Sequence, residues 1–166
     1  MINFRKMTSR DRSAIYEILQ QTDMFTLPEI NVAMELIDIY LFNKEQKDYL
    51  IYVATADHDE IAGYVCYGPT PATDGTFDVY WIAVAANLQN KGIGKKLLHF
   101  AEEEIAKQNG RMVVIETSSQ SKYLPTQQFY YKNKYVLEAR IKDFYRVGDN
   151  RMIFVKRFSH HNKGGK

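Results

Sequence analysis

The sequence predicts a mixed α/β domain, and three features of the chain support this fold class. Short apolar runs alternate along the chain with longer amphipathic segments, which indicates strands and helices in turn. A strand, a glycine turn, a helix and a second strand follow one another over residues 77–116, so two strands of the sheet are expected to be parallel. The chain has 166 residues, of which 45% are hydrophobic and 25% charged, so we expect one packed domain over residues 1–158.

In the first half of the chain, helix-capping residues, a proline and turn residues set the predicted boundaries of helices and strands. Thr8 and Asp11 have the spacing of a capping box, which predicts that a helix begins there. Pro28 favours the first turn of a second helix. Apolar runs bounded by turn residues predict strands at residues 2–7, 50–56, 61–67 and 77–84, of which the second and third form a hairpin.

In the second half, a long helix is expected over residues 92–109, because apolar residues recur at every fourth position and Gly110 provides a left-handed cap. A short helix is expected over residues 126–133. Strands are predicted at residues 112–116, 135–142 and 151–157. Residues 143–150 have turn chemistry and are predicted to be a loop, and residues 159–166 have no apolar periodicity and are expected to be a flexible tail.

Composition argues against several classes of function. The 22 basic residues nearly balance 20 acidic residues, so the net charge of +2 gives no support to nucleic-acid binding. Cys66 is the single cysteine and cannot form an internal disulfide. The N-terminus is polar and no run approaches the ~18 apolar residues of a membrane span, so we expect a cytoplasmic protein without a membrane partner. The four histidines lack metal-ligand spacing, so no metal is expected.

The segment NLQNKGIGKKLL, residues 87–98, is a glycine turn at the start of the long helix. Gly92 and Gly94 would allow a ligand to approach the backbone, and Lys91, Lys95 and Lys96 add positive charge. The unpaired amides of a first helical turn favour an anion such as a pyrophosphate. A plain strand-to-helix corner with solvated lysines fits the same residues, and these residues alone leave both interpretations open.

Two motifs in order resemble one known family. The segment QNKGIGK, residues 89–95, resembles the Gln/Arg-x-x-Gly-x-Gly/Ala signature of the GNAT acyltransferases, which bind acetyl-CoA. The segment QFYYKNKYV, residues 128–136, resembles the late Phe-Tyr-x-Lys-x-Gly-Phe element of the same family. The resemblance implies a GNAT-type acyl-CoA N-acyltransferase fold, a central mixed twisted sheet with helices on both faces. Lys134 and Tyr135 depart from the family's glycine and phenylalanine, and Tyr123 stands where many members have an asparagine.

The resemblance also implies an activity. We expect an N-acetyltransferase that moves an acetyl group from acetyl-CoA, its co-substrate, to a primary amine by direct attack in a ternary complex. The acceptor would be a small molecule or a peptide, and a homodimer is open because similar proteins often form dimers. An acetyl-CoA-binding sensor or interaction module with little catalysis is the alternative. The residues expected to bind the cofactor are Ile82, Val84 (through its N–H), Gln89, Asn90, Lys91, Gly92, Ile93, Gly94, Lys95 and Thr126.

Acid and base roles follow from the same resemblance. Tyr130 aligns with a tyrosine near the CoA sulfur and is expected to protonate the leaving thiolate. Glu116, at the end of a predicted strand, is expected to deprotonate the amine, and Asp78 on the preceding strand is the second candidate for that base. The predicted loop over residues 143–150 often borders the acceptor site in relatives.

Overall fold

The computed structural model describes residues 1–159, and nearly all of the predicted tail lies outside the described residues. No helix of this described part is long and apolar enough to cross a membrane. The helices are α1 (Arg12–Gln21), α2 (Leu27–Phe42), α3 (Ile93–Lys107) and α4 (Leu124–Lys132). The strands are β1 (Asn3–Lys6), β2 (Leu50–Thr55), β3 (Ile61–Pro69), β4 (Thr76–Val84), β5 (Met112–Ser118), β6 (Val136–Arg146) and β7 (Asp149–Arg157).

The strands form a mixed sheet in the order β1-β2-β3-β4-β5-β7-β6, which confirms the predicted mixed α/β class. Strands β4 and β5 are parallel, as the strand–turn–helix–strand sequence predicted, and Asp78 lies opposite Val114 in their register. The pairs β1–β2, β2–β3, β5–β7 and β6–β7 are antiparallel.

Contacts group the chain into two compact units. The first unit comprises Met1–Gly68 and Val79–Glu102, and the second comprises Pro69–Asp78 and the described residues from Glu103 onward. In the first unit, α1 and α2 pack their apolar faces on strands β2 and β3. Burial of these apolar side chains is the main stabilising term of this core. Its fully buried members include Ile15, Leu19, Ile37, Ile51, Val53 and Tyr64.

Capping sets the start of both early helices. The predicted capping box of Thr8 and Asp11 is present, and it opens a short 3₁₀ turn that leads into α1. A second capping box forms where Thr26 caps α2, with its backbone N–H donating to Glu29 Oε2 at 2.6 Å. The helix α2 therefore begins at Leu27, one residue before the predicted Pro28.

The core of the second unit is aromatic. Tyr130 on α4 packs on Phe154 of β7, with ring centroids 5.4 Å apart, and on Tyr135, with centroids 6.0 Å apart. Val113 and Ile115 of β5 are buried on the same side of the sheet as Phe154, because Ile115 lies opposite Phe154 in register. Helix α4 thus covers one face of this part of the sheet.

The predicted loop over residues 143–150 is wrong. Strand β6 continues to Arg146 and β7 begins at Asp149, so only a two-residue turn joins them. Gly148 has φ +82°, which permits the tight turn. Asp143 interrupts the regular pairing with φ +53°, and its Oδ1 accepts a hydrogen bond from the Gly148 N–H at 2.8 Å. The polar residues of this segment are typical of a loop, but they belong to a hairpin whose first strand contains one left-handed residue.

Candidate functional site

The glycine turn in the first unit is a backbone feature. A 3₁₀ turn, Ala86–Leu88, follows β4, and the chain then takes left-handed conformations at Asn90 (φ +60°) and Gly92 (φ +78°) before α3 begins. A Cβ built on Gly92 meets no atom within 4 Å. The backbone conformation therefore favours glycine here, and the space beside it is open.

The amides of the first turn of α3 form the second part of this feature. The Lys96 N–H donates to the Gly92 carbonyl at 3.1 Å, which is the first bond of the helix. The N–H groups of Ile93, Gly94 and Lys95 come before any helical acceptor and carry the positive end of the helix dipole. Lys91 and Lys95 are exposed, whereas the Ile93 side chain is buried and anchors the turn.

The end of β4 is held beside this turn. The Gln89 side chain donates from Nε2 to the Val84 carbonyl at 3.4 Å, and the Ala85 N–H donates to the Ala62 carbonyl at 2.9 Å. Ile82 and Val84 are half-buried. The predicted cofactor residues from Ile82 to Lys95 therefore lie on one continuous segment of the first unit. The Gln89 side chain links the turn to the end of β4 within that segment.

Asp78 is the half-buried carboxylate of the second unit. Its Oδ2 accepts a hydrogen bond from Thr70 Oγ1 at 2.6 Å. Burial raises the pKa of Asp78 above its ordinary value, the Thr70 hydrogen bond opposes that rise, the negative charge of Glu116 adds to it, and the positive charge of Arg151 opposes it. A raised carboxyl pKa suits a base that accepts a proton near neutral pH.

Glu116 is bound to a partner that the sequence did not predict. The Arg151 guanidinium on β7 donates from Nη2 to Glu116 Oε1 and lies over the Phe144 ring, with Cζ 4.7 Å from the ring centroid. Asp78, Glu116 and Arg151 share one face of the sheet, since Asp78 lies opposite Val114 and Arg151 lies opposite Ser118. This face also carries the side chains of Ile153 and Ile141 by register.

Tyr130 lies on the other face of these strands. It is buried in the aromatic core, and burial raises the pKa of its hydroxyl, so the phenol keeps its proton at neutral pH. Thr126 is half-buried one turn earlier on α4, and Tyr123 is buried in the 3₁₀ turn before that helix. The two residues predicted as acid and base, Tyr130 and Glu116, therefore lie on opposite faces of the sheet in the second unit.

Two residues that contact Asp78 and Glu116 were not predicted from the sequence. Thr70 lies between the predicted strands at residues 61–67 and 77–84, and Arg151 begins the predicted strand at residues 151–157. Neither position carries a motif. The register of β5 and β7 brings Arg151 to Glu116, and the loop between β3 and β4 brings Thr70 to Asp78. Among the described residues, no cluster of His, Cys, Asp and Glu could hold a metal ion.

Known families and structures give an independent comparison. Residues 47–137 match the family model described as the acetyltransferase (GNAT) domain. No curated protein sequence matches the chain significantly. A crystal structure described as a GNAT-family acetyltransferase from Desulfovibrio desulfuricans superposes with a TM-score of 0.89 at 40% identity, covering 95% of this chain and 99% of that chain.

More distant structures share the fold. The ribosomal-protein-S18-alanine N-acetyltransferase from Escherichia coli has a TM-score of 0.76 at 16% identity, covering 100% of this chain and 99% of that one. A Bacillus anthracis protein described as a streptothricin acetyltransferase, solved with acetyl coenzyme A, has a TM-score of 0.63 at 18% identity, covering 74% of this chain and 68% of that one.

Proposed function

This chain belongs to the GNAT acetyltransferase family and is therefore an acyltransferase, and on that premise we propose that it transfers an acetyl group from acetyl-CoA to a primary amine. The observation that carries this proposal is the glycine turn that opens α3. It combines open space beside Gly92, first-turn amides without helical acceptors and flanking lysines.

The chemistry of the turn suits the diphosphate of the co-substrate. Backbone N–H groups from Asn90 to Lys95 would donate to phosphate oxygens, and the lysines would add screened positive charge. The distant relative that is described as a complex with acetyl coenzyme A supports the same ligand for this chain. Ile82, Val84 and Thr126 remain predicted contacts of the cofactor, with the Val84 N–H expected to polarise the thioester carbonyl.

Asp78 is the base that the local contacts favour. A protonated amine with a pKa of ~10.4 must lose a proton before it attacks a thioester. Asp78 combines a raised pKa with one hydrogen bond from Thr70, whereas the carboxylate of Glu116 is bound to Arg151. We therefore propose Asp78 for this role and keep Glu116, the first choice from the sequence, as the alternative.

Tyr130 is proposed as the acid. Its phenol is protonated at neutral pH because burial raises its pKa, and it would donate this proton to the departing thiolate. The nucleophile is the acceptor amine, so the enzyme needs no covalent intermediate of its own. In the balanced step the amine nitrogen would form the C–N bond to the acetyl carbon as the C–S bond breaks. The amine proton would pass to Asp78, and Tyr130 would give its proton to the thiolate. Both side chains would then return to their starting states by proton exchange with solvent.

Two measurements test the proposal. Calorimetric titration with acetyl-CoA tests the cofactor, and absence of binding at millimolar ligand contradicts the assignment. Release of the CoA thiol is then followed with a panel of small amines, amino acids and peptides. Thiol release that matches acetylated amine in amount supports the enzyme. Tight binding without thiol release for any amine supports the binding module instead.

A further inference from the structure

The second unit carries an ion pair whose position on the sheet has a consequence for the proposed reaction. Glu116 on β5 and Arg151 on β7 pair on the same face that carries Asp78 on β4. An ion pair at partly exposed strand positions is expected to contribute little to stability. Its partners are 34% and 27% exposed in their side chains, and Phe144 covers the guanidinium.

We propose that Glu116 and Arg151 are positioning residues that act through Asp78, by setting a balanced pair of opposite charges beside the base. The inference rests on the proposed function, because it assumes that Asp78 accepts the proton of the acceptor amine. Neither residue needs to touch the substrate.

The balance follows from the arrangement of the three charges. Glu116 disfavours the charged form of Asp78, and Arg151 favours it. Thr70, from the loop before β4, donates a hydrogen bond and does not titrate. Removal of Glu116 leaves the positive charge of Arg151 uncompensated, and removal of Arg151 leaves the negative charge of Glu116 uncompensated. The two single variants must therefore shift the pKa of Asp78 in opposite directions.

Arg151 is held mainly by this pair. Its Nε is buried and has no hydrogen-bond partner among the described residues, and its Nη2 donates to Glu116. The Phe144 ring packs against the guanidinium and restricts it to one side. Glu116 and Phe144 therefore fix where the positive charge of Arg151 lies.

The hairpin of β6 and β7, which contains Arg151, also offers a matched control pair. Glu138 on β6 and Arg157 on β7 form a two-bond pair with N–O distances of 3.0 Å, and neither contributes to the shift of Asp78. Variants of this control pair remove an ion pair that also involves β7, without changing the charges beside the base.

The experiment follows the titration of the Asp78 carboxyl by ¹³C NMR in the full chain, with the pH dependence of kcat/KM for acetyl transfer measured beside it. Glu116→Gln is expected to move the Asp78 titration and the acidic limb of kcat/KM to lower pH. Arg151→Gln is expected to move both to higher pH. In the double variant, the Asp78 titration and the acidic limb are expected to return towards their wild-type positions. Arg151→Lys keeps the positive charge, so both are expected to stay close to wild type in that variant.

Glu138→Gln and Arg157→Gln are expected to leave the Asp78 titration unchanged. Shifts in the same direction for Glu116→Gln and Arg151→Gln, or no shift in either, overturn the inference, as does an equal shift in the control pair. The NMR titration requires no turnover, so it decides the inference even if no amine is acetylated. Failure of acetylation with intact opposite shifts contradicts only the proposed function.

Discussion

The glycine turn of the first unit and the carboxylate cluster of the second are built in different ways. The turn is made of backbone amides and left-handed residues on one continuous segment, and its lysines are exposed. The cluster is made of side chains from β4, β5 and β7, which are distant in the chain and are brought together by register. A backbone site is sensitive to conformation, whereas a side-chain site is sensitive to the identity of single groups.

This comparison predicts which kinetic constant each change affects. Changes in the turn are expected to alter binding of acetyl-CoA, and changes in the cluster are expected to alter turnover. Asp78→Asn, Tyr130→Phe and Gly92→Ala test this division. Lys134→Gly is expected to leave both kinetic constants unchanged and tests stability alone.

Asp78→Asn is expected to give the largest loss. Asparagine keeps the size of the side chain and a hydrogen-bonding group for Thr70, but it cannot accept the amine proton. We expect kcat to fall by ~10²–10⁴-fold, the usual range for a lost general base, with the KM for acetyl-CoA unchanged. Steady-state kinetics at saturating amine measure both constants. A larger loss in Glu116→Gln than in Asp78→Asn would transfer the role to Glu116.

Tyr130→Phe is expected to come next. The ring and its packing on Phe154 remain, and only the hydroxyl is removed. We expect kcat to fall by ~10²-fold through loss of the acid. Tyr131→Phe is the matched control, since Tyr131 also packs on Phe154, at 5.1 Å, but is exposed on the helix surface. Equal rates for Tyr130→Phe and wild type at saturating acetyl-CoA would exclude the acid role.

Gly92→Ala tests the turn. Gly92 and Gly148 both have strongly positive φ, +78° and +82°, and an added Cβ meets no atom within 4 Å at either position. Alanine at either site is therefore expected to lower the free energy of unfolding by about 1 kcal/mol. Only Gly92→Ala is expected to raise the KM for acetyl-CoA, by about tenfold, which corresponds to ~1.4 kcal/mol of binding.

Denaturant unfolding and acetyl-CoA kinetics of both glycine variants complete this test. An equal KM in Gly92→Ala and Gly148→Ala would make the turn a plain strand-to-helix corner. That outcome would also remove the main support for the diphosphate assignment.

Lys134→Gly is expected to give the smallest effect. Lys134 follows α4 with φ +71°, a left-handed conformation that glycine adopts without strain and lysine does not. The left-handed backbone at this position strains lysine and lowers stability. We expect glycine to raise the free energy of unfolding by only about 0.5 kcal/mol, because the flexibility of glycine in the unfolded chain offsets part of the gain. Neither kinetic constant is expected to change. A thermal melt measures the change, and a lower melting temperature would contradict it.

The fold was largely predictable because its signals are local. Short-range patterns predict three of its features. These are the capping box at Thr8, the helix α3 with an apolar residue at every fourth position, and the parallel pairing of β4 with β5. The hairpin of β6 and β7 was not predicted, because Asp143 and Gly148 carry turn chemistry inside and beside a pair of strands. Sequence patterns cannot separate a loop from a bulged strand that continues past one left-handed residue.

The site divides in the same way. The glycine turn was predictable because one contiguous motif encodes it. The binding of Glu116 to Arg151 was not predictable, since the two residues are 35 positions apart and are joined only by the register of β5 and β7. The support that Thr70 gives to Asp78 was also missed, because Thr70 lies in an irregular loop. Side-chain clusters of this kind need tertiary structure before they can be recognised.

Binding of acetyl-CoA and proton transfer are expected to depend on different regions of the molecule. One kinetic assay, the release of CoA thiol with a responsive amine, tests this division most directly when acetyl-CoA is varied for wild type, Gly92→Ala and Asp78→Asn. We expect a raised KM with near-normal kcat for Gly92→Ala, and a lowered kcat with normal KM for Asp78→Asn. A change of both constants to the same extent in both variants would contradict the division.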